Sequence, residues 1–271
     1  MNWIFDAHIH LSDPEYQSDI PLIIESMNKQ NIKACCVSMD FDTCQSTMKL
    51  SQQSKNILPF LGIHPEKAQD DPTLVYEMIN ENQSKISGIG EIGLDRTYIK
   101  SEDEWETQKQ VFSDQLSLAE KFQKPVSIHS RKTLDDIFDI LTSFNLQSVL
   151  LHWFDGNKKQ LSKAMDSGLY VSYGPVLLYA NDKQTLLSIT ETDKLLVETD
   201  GPVRFSHCFS YKTAQILFLP SVIFCASKIL NLTYDETVVM LEENSQRSVS
   251  YTHLRAHETD SYLVCRLLLE K

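Results

Sequence analysis

The sequence predicts a closed α/β barrel, the (β/α)8 or TIM barrel class, from three observations. Eight short apolar runs are spread along the 271 residues. Each run is continuous rather than alternating, as expected of parallel strands covered by helices. Stretches with apolar residues three and four apart separate the runs, so strand and helix alternate throughout. The length also suits a barrel of this class, commonly about 250 residues. An open, doubly wound sheet is the alternative.

The predicted strands are residues 3–8, 34–39, 58–64, 86–92, 125–129, 148–152, 169–173 and 195–199. Between them, Trp105, Val111, Phe112, Leu116, Ala119 and Phe122 keep helical spacing. Leu134, Ile137, Phe138 and Leu141 do the same, and Leu22, Ile23, Met27 and Ala34 give a similar signal. A last helical pattern over 234–247 would complete the barrel. Residues 1–248 are therefore predicted to form one barrel domain. Residues 249–271 read as a non-native or unstructured tail, although His253 and His257 stand at i, i+4 there.

Hydrophobic content of 42% and charged content of 23% indicate a folded protein with a sizeable core rather than a disordered chain. The formal charge of -12 argues against a broad basic face for nucleic acid. A polyanionic substrate would need a local cationic patch or bound metal ions. Cysteines at 35, 36, 44, 208, 225 and 265 form no C-x-x-C motif, so they read as core thiols of a reducing compartment. No run reaches the roughly 18 apolar residues of a membrane span. A cytoplasmic location without a membrane partner is expected.

In a barrel, chemistry is built where the C-terminal strand ends converge. The first run ends W-I-F-D-A-H-I-H, and strand alternation puts His8 and His10 on one face. His64 ends the third run in G-I-H-P, and Glu91 the fourth in G-I-G-E-I-G-L-D. His129 and His152 end the fifth and sixth, and Asp200 comes after the eighth in L-V-E-T-D-G-P. Five of the eight histidines thus fall at predicted strand ends. A lone buried histidine is often only a hydrogen-bonded core residue, and Asp200 suits an ordinary helix cap. A carboxylate between Ile89 and Ile92 is costly to bury unless paired or metal-bound. Gly90 and Gly93 beside it allow close approach of backbone or ligand.

Imidazoles suit zinc, manganese or iron, and the carboxylates add oxygen donors that also suit magnesium. Four histidines with Glu91 and Asp200 suffice for two ions, with Glu91 as a bridge holding them about 3.5–4 Å apart. Metal brings the pKa of bound water toward about 7. Asp200 is the candidate to orient that water and take its proton.

Six stretches carry a family resemblance: D-A-H-I-H-L at 6–11, G-I-H-P at 62–65, G-E-I-G-L-D at 90–95, P-V-S-I-H-S-R at 125–131, H-W-F-D-G at 152–156 and E-T-D-G-P at 198–202. In this order they resemble the TatD family of metal-dependent deoxyribonucleases, within the amidohydrolase superfamily, over residues 3 to 247. The resemblance implies that His8 and His10 bind a first metal with Glu91 and Asp200. It implies that Glu91 bridges to a second metal held by His129 and His152. It also implies two divalent ions (Mg, Zn or Mn) and DNA as substrate, single-stranded or at 3′ ends, cut 3′ to 5′. Some relatives are D-aminoacyl-tRNA deacylases. The chain departs from the family pattern in V-R-F-S-H-C-F-S after E-T-D-G-P, and in the residues beyond Asn-x-x-Arg at 244–247.

Three functions compete. In the leading one, a phosphodiesterase cuts DNA ends, with His64 and Arg131 on the substrate. Lys158, Lys159 and Lys163 would then guide a strand, unless they are simply a solvated helix face. The second is a metal-dependent esterase or amidase, such as a D-aminoacyl-tRNA deacylase. The third is a non-catalytic metal-binding scaffold, which the full ligand set argues against. No obligate protein partner is inferred.

Overall fold

In a computed structural model, which describes residues 2–249, eight parallel strands lie side by side in chain order. They are β1 (Ile4–Ile9), β2 (Ile32–Cys36), β3 (Ile57–Leu61), β4 (Gly88–Asp95), β5 (Val126–Arg131), β6 (Val149–Leu151), β7 (Tyr170–Tyr173) and β8 (Leu195–Val197). Each overlaps one predicted run. The sheet curls back on itself, because the Asp200 N–H donates to the His8 carbonyl at 3.0 Å. Beside this bond, Thr199 donates its backbone N–H (3.0 Å) and its hydroxyl (2.5 Å) to the buried Asp6 carboxylate. The chain therefore forms a nearly closed barrel.

The outer ring comprises α1 (Ile20–Gln30), α2 (Phe41–Gln53), α3 (Thr73–Asn82), α4 (Glu102–Phe122), α5 (Leu134–Leu141), α6 (Lys158–Asp166), α7 (Asn181–Ser188), α8 (Leu219–Leu230) and α9 (Tyr234–Val249). Their apolar faces meet outward-facing strand residues such as Ile32, Leu61, Ile89, Ile128 and Val197 in one continuous core. Full burial of each such side chain stabilises by about 1.5–3 kcal/mol. The pattern around α1 resolves differently from its expectation. Ile20, Ile23 and Met27 face the core, Leu22 is 64% exposed, and Ala34 belongs to β2. Asn31, in the left-handed region at φ 52°, ends the helix before Ala34 is reached.

Helix α4 also places two loops of the upper face. Ser101 caps it by accepting the Glu104 N–H, and three acidic residues in its first turn suit the helix dipole. From its buried side, Gln115 bonds both the N–H (2.7 Å) and the carbonyl (3.1 Å) of Ile63. Gln108 accepts the Asp95 N–H at 2.9 Å. Buried amides facing loop backbone fix those loops, since an unpaired backbone group there would be costly. At the far end of the chain, Asn244 of α9 donates to the carbonyls of Thr192 (2.6 Å) and Leu195 (2.8 Å), pinning that helix beside β8.

Val249 ends α9; the expected tail otherwise lies outside the described residues. Cys35, Cys36 and Cys44 are buried free thiols, as expected of core residues, whereas Cys225 is half-buried and Cys208 is exposed, against that expectation. Among the described residues, no single helix is long and apolar enough to cross a membrane.

Candidate active site

The strand ends bring His8, His10, His64, Glu91, His129, His152 and Asp200 together above the barrel. His8 is fully buried near the end of β1, and His10 stands one residue beyond it. Their Nε2 atoms face one another at 3.3 Å. His8 Nδ1 lies 2.9 Å from Ser127 Oγ on β5. A proton donated to Ser127 from Nδ1 leaves the Nε2 lone pair turned toward the cluster.

Glu91 is the centre of the arrangement. Its Oε2 lies 3.2 Å from His10 Nε2 and 3.5 Å from His8 Nε2. Its Oε1 lies 2.8 Å from His152 Nε2 and 2.9 Å from His129 Nδ1. The flanking glycines admit backbone, not ligand. A Cβ on Gly90 would stand 2.9 Å from the Ser127 Cβ, and one on Gly93 would stand 2.1 Å from the His129 carbonyl oxygen. Gly93 also holds φ 143°, open only to glycine at low cost. Close contact of β4 with β5 thus sets Glu91 against His129.

His152 lies just past β6, with its ring stacked on His8 at a centroid separation of 3.7 Å. Its Nδ1 is buried and has no hydrogen-bond partner among the described residues; Glu198 Oε1 stands 3.8 Å away. Asp200 sits three residues past β8 at φ 48°. Its Oδ1 faces His8 Nε2 at 3.6 Å and His10 Nε2 at 3.7 Å. Asp200 is therefore not a helix cap but a member of the cluster.

His64 lies off the end of β3, because Pro65 opens a short turn (Pro65–Lys67) and holds the preceding residue extended. Its Nδ1 accepts the Glu66 N–H at 3.2 Å, so neutral His64 carries its proton on Nε2. That N–H points toward Glu91 Oε1, 3.6 Å away. His64 thus presents a donor to the site, unlike the lone pair of a ligand. Burial pushes its pKa down to about 3, which keeps the ring neutral.

The donor set fits divalent metal. Metal–nitrogen bonds of about 2.0–2.1 Å imply roughly 3.3–3.4 Å between neighbouring ligand atoms of a tetrahedron. The nitrogen and oxygen atoms of His8, His10 and Glu91 lie 3.2–3.5 Å apart. His8 with His152 and Asp200, and His64 with Glu91 and His129, form further close groups. The second of these contains the His64 donor, so the members left to offer lone pairs to a cation are Glu91 and His129.

The electrostatics also mark the cluster. Burial alone would raise the Glu91 pKa, but the surrounding imidazoles of His64, His152 and His8 hold it well below the carboxylate range. Burial lowers His8, helped by His152. Burial works against the charged forms of His10 and His152, yet Glu91 outweighs it and raises both. Asp200 is pushed up to about 7 by burial, with Glu198 adding and His152 opposing. Opposed shifts within one site are typical of catalytic and metal centres.

The cluster opens into a cleft of about 790 Å³, lined also by Tyr98, Arg131, Trp153 and Arg204. Arg96 and Arg204 pair with Asp136 and Glu15 at 3.7 and 3.1 Å, whereas Arg131 makes no ion pair among the described residues. Lys158, Lys159 and Lys163 lie on α6 and do not line this cleft; Lys163 faces Asp139 at 3.4 Å.

Sequence reasoning did not assign roles to Ser127, Asp95 and Glu198. Asp95 ends β4 with Oδ2 on His129 Nε2 at 2.9 Å, and Thr97 donates twice to its Oδ1. Glu198 is fully buried and accepts the Trp153 N–H (2.8 Å) and the Ser172 hydroxyl (2.5 Å). Both acids stand within the motifs of the family resemblance, G-E-I-G-L-D and E-T-D-G-P. A costly buried carboxylate was the available signal.

Residues 5–250 match the family model described as TatD related DNase. A Bacillus subtilis protein named "uncharacterized metal-dependent hydrolase YabD" is 28% identical over 251 residues, spanning 90% of this chain and 98% of that one. Human deoxyribonuclease TATDN3 is 28% identical over 213 residues, 73% of this chain and 78% of that one. Among solved structures, the TatD homologue YJJV of Escherichia coli superposes with a TM-score of 0.83 at 21% identity, covering 91% of this chain and 97% of that one.

Proposed function

The chain belongs to the TatD-related DNase family and is a metal-dependent hydrolase; on that premise we propose that it is a two-metal deoxyribonuclease acting on DNA 3′ ends. The observation that carries the reading is the division of Glu91. One carboxylate oxygen faces His8 and His10, and the other faces His129 and His152. That is the disposition of a bridging ligand between two cations, with Asp200 completing the His8–His10 side. Human TATDN3, named a deoxyribonuclease, supports DNA as the substrate.

Magnesium, manganese or zinc ions held by these residues would neutralise a phosphodiester and acidify the attacking water. The chain's own groups supply the rest. Asp200, whose Oδ1 faces the His8–His10 side of the cluster, would take the proton of that water. His64 offers its Nε2–H, and Arg131 its guanidinium, to phosphate oxygens in the cleft. The net charge of -12 favours a short contact at a strand end over a long basic track. The buried free thiols suit a reducing, cytoplasmic setting.

The test is a chelator-stripped protein reloaded with magnesium, manganese or zinc and given 5′-labelled single-stranded DNA. Stepwise shortening from the 3′ end, only after reloading, is the expected result. Internal cuts alone would overturn the exonuclease assignment. Inertness toward DNA with hydrolysis of a D-aminoacyl-tRNA would move the assignment to an esterase.

A further inference from the structure

We infer that Trp153 is a stacking platform for a nucleobase of the substrate, an inference that rests on the nuclease reading. Trp153 is the residue after His152, so it is tied to the metal-binding cluster through one peptide unit. Its backbone takes φ 41°, a region that bulky residues rarely adopt. The position is held because its N–H donates to Glu198 Oε1 at 2.8 Å, while Ser172 anchors the other oxygen at 2.5 Å. A buried carboxylate thus sets the direction in which the chain leaves β6.

The indole is half-buried and lines the cleft. Phe205 packs beside it at 5.3 Å between centroids and 32° between planes. Phe205 is itself buried and continues to Phe209 and Phe218 at 6.0 and 4.7 Å. The loop after Asp200 therefore supplies the backing for the ring. A rigid aromatic side chain beside phosphate-binding groups has the chemistry of a nucleotide subsite: phosphate on the cluster and Arg131, base on the indole. Stacking accepts any base, because every base has a π face. It is also insensitive to salt, which matters in a chain whose net charge repels polyanions.

The experiment uses the full, metal-loaded chain and two readouts. The chain has three tryptophans, so Trp153→Phe provides the fluorescence blank. Deoxyadenosine monophosphate should quench the parent protein, deoxyribose 5-phosphate should not, and Trp153→Phe should abolish the quench. In kinetics, oligonucleotides ending 3′ in adenine or in an abasic tetrahydrofuran residue are compared. Trp153→Ala should raise KM for the adenine end about 5- to 150-fold, the range for loss of one stacked base. The parent's preference for adenine over the abasic end should collapse, and Trp153→Phe should restore most of it. Equal effects of Trp153→Ala on both ends, or a quench that survives in Trp153→Phe, would overturn the platform. If the parent cuts neither end, the nuclease reading fails, and the quench alone then decides whether the platform exists.

Discussion

Asp95 Oδ2 lies 2.9 Å from His129 Nε2, while the other nitrogen of the same ring stands 2.9 Å from Glu91 Oε1. The ring is therefore held between an orienting carboxylate and the central one. Hydrogen bonds donated to Asp95 and Glu91 raise the His129 pKa against the lowering effect of burial. Asp95→Asn keeps the shape and the Thr97 contacts but loses the charge. Removing such an orienting partner typically costs about 10–100-fold in metal affinity or activity. We expect that loss in titration calorimetry with manganese, with an unchanged circular dichroism spectrum. A folded variant with parental affinity and turnover would show that Asp95 merely caps its turn.

Glu91 and His64 differ in what they can offer a cation. Glu91 presents both oxygens to the cluster, whereas His64 presents an N–H. Glu91→Gln should lower bound metal and cut turnover far more than His64→Ala. His64→Ala should retain metal content and lose activity through weaker substrate contact, within the range of about 0.5–3 kcal/mol for one hydrogen bond. Metal analysis of both purified proteins separates the two roles. Loss of metal in His64→Ala, or parental turnover in Glu91→Gln, would reverse the assignment.

The eight strands are legible in the sequence because parallel, doubly covered strands are written as continuous apolar runs, and a polar residue ending such a run stands out. His8, Glu91, His129 and His152 are visible for that reason. Strand boundaries are less legible. The apolar run 58–64 reads as one strand, but β3 stops at Leu61. There, α4 captures Ile63 through Gln115, 52 residues away, and Pro65 starts a turn. Ser127, Asp95 and Glu198 escape assignment because their roles are relations: each supports a site residue or its neighbour that is distant in sequence. A single chain of letters shows the residue but not its partner.

Metal binding should depend on pH, and the shifts set its sign. Asp200 is raised to about 7 by burial, with Glu198 adding to it. His10 and His152 are raised by Glu91 against burial. Raised values mean that the metal-free site holds protons near neutrality, which incoming ions must displace. Affinity should therefore fall as pH drops below about 7, by about tenfold per pH unit for each proton displaced. His64 stays neutral throughout this window and adds nothing. Calorimetry in buffers of different ionisation enthalpy counts the protons directly. No proton release, with constant affinity between about pH 5.5 and 7.5, would mean that the site is already deprotonated in the metal-free protein.

Asp200 carries the last prediction. Its N–H bonds the His8 carbonyl, so its backbone belongs to the barrel seam as much as to the site. Its Oδ1 faces His8 and His10 at 3.6 and 3.7 Å, within reach of whatever those rings bind. Asp200→Asn preserves the backbone bond, the size and one oxygen donor, and removes only the basic function. General base catalysis typically contributes ~10²–10⁴ in rate. We expect the variant to fold, to bind at least one ion, and to lose that much turnover on DNA. The loss should fall on kcat more than KM, because the proton moves only in the transition state. An Asp200→Asn protein with full metal content and parental kcat would transfer the base role elsewhere, and His64, a cleft residue whose ring is neutral near pH 7, would be the next to test.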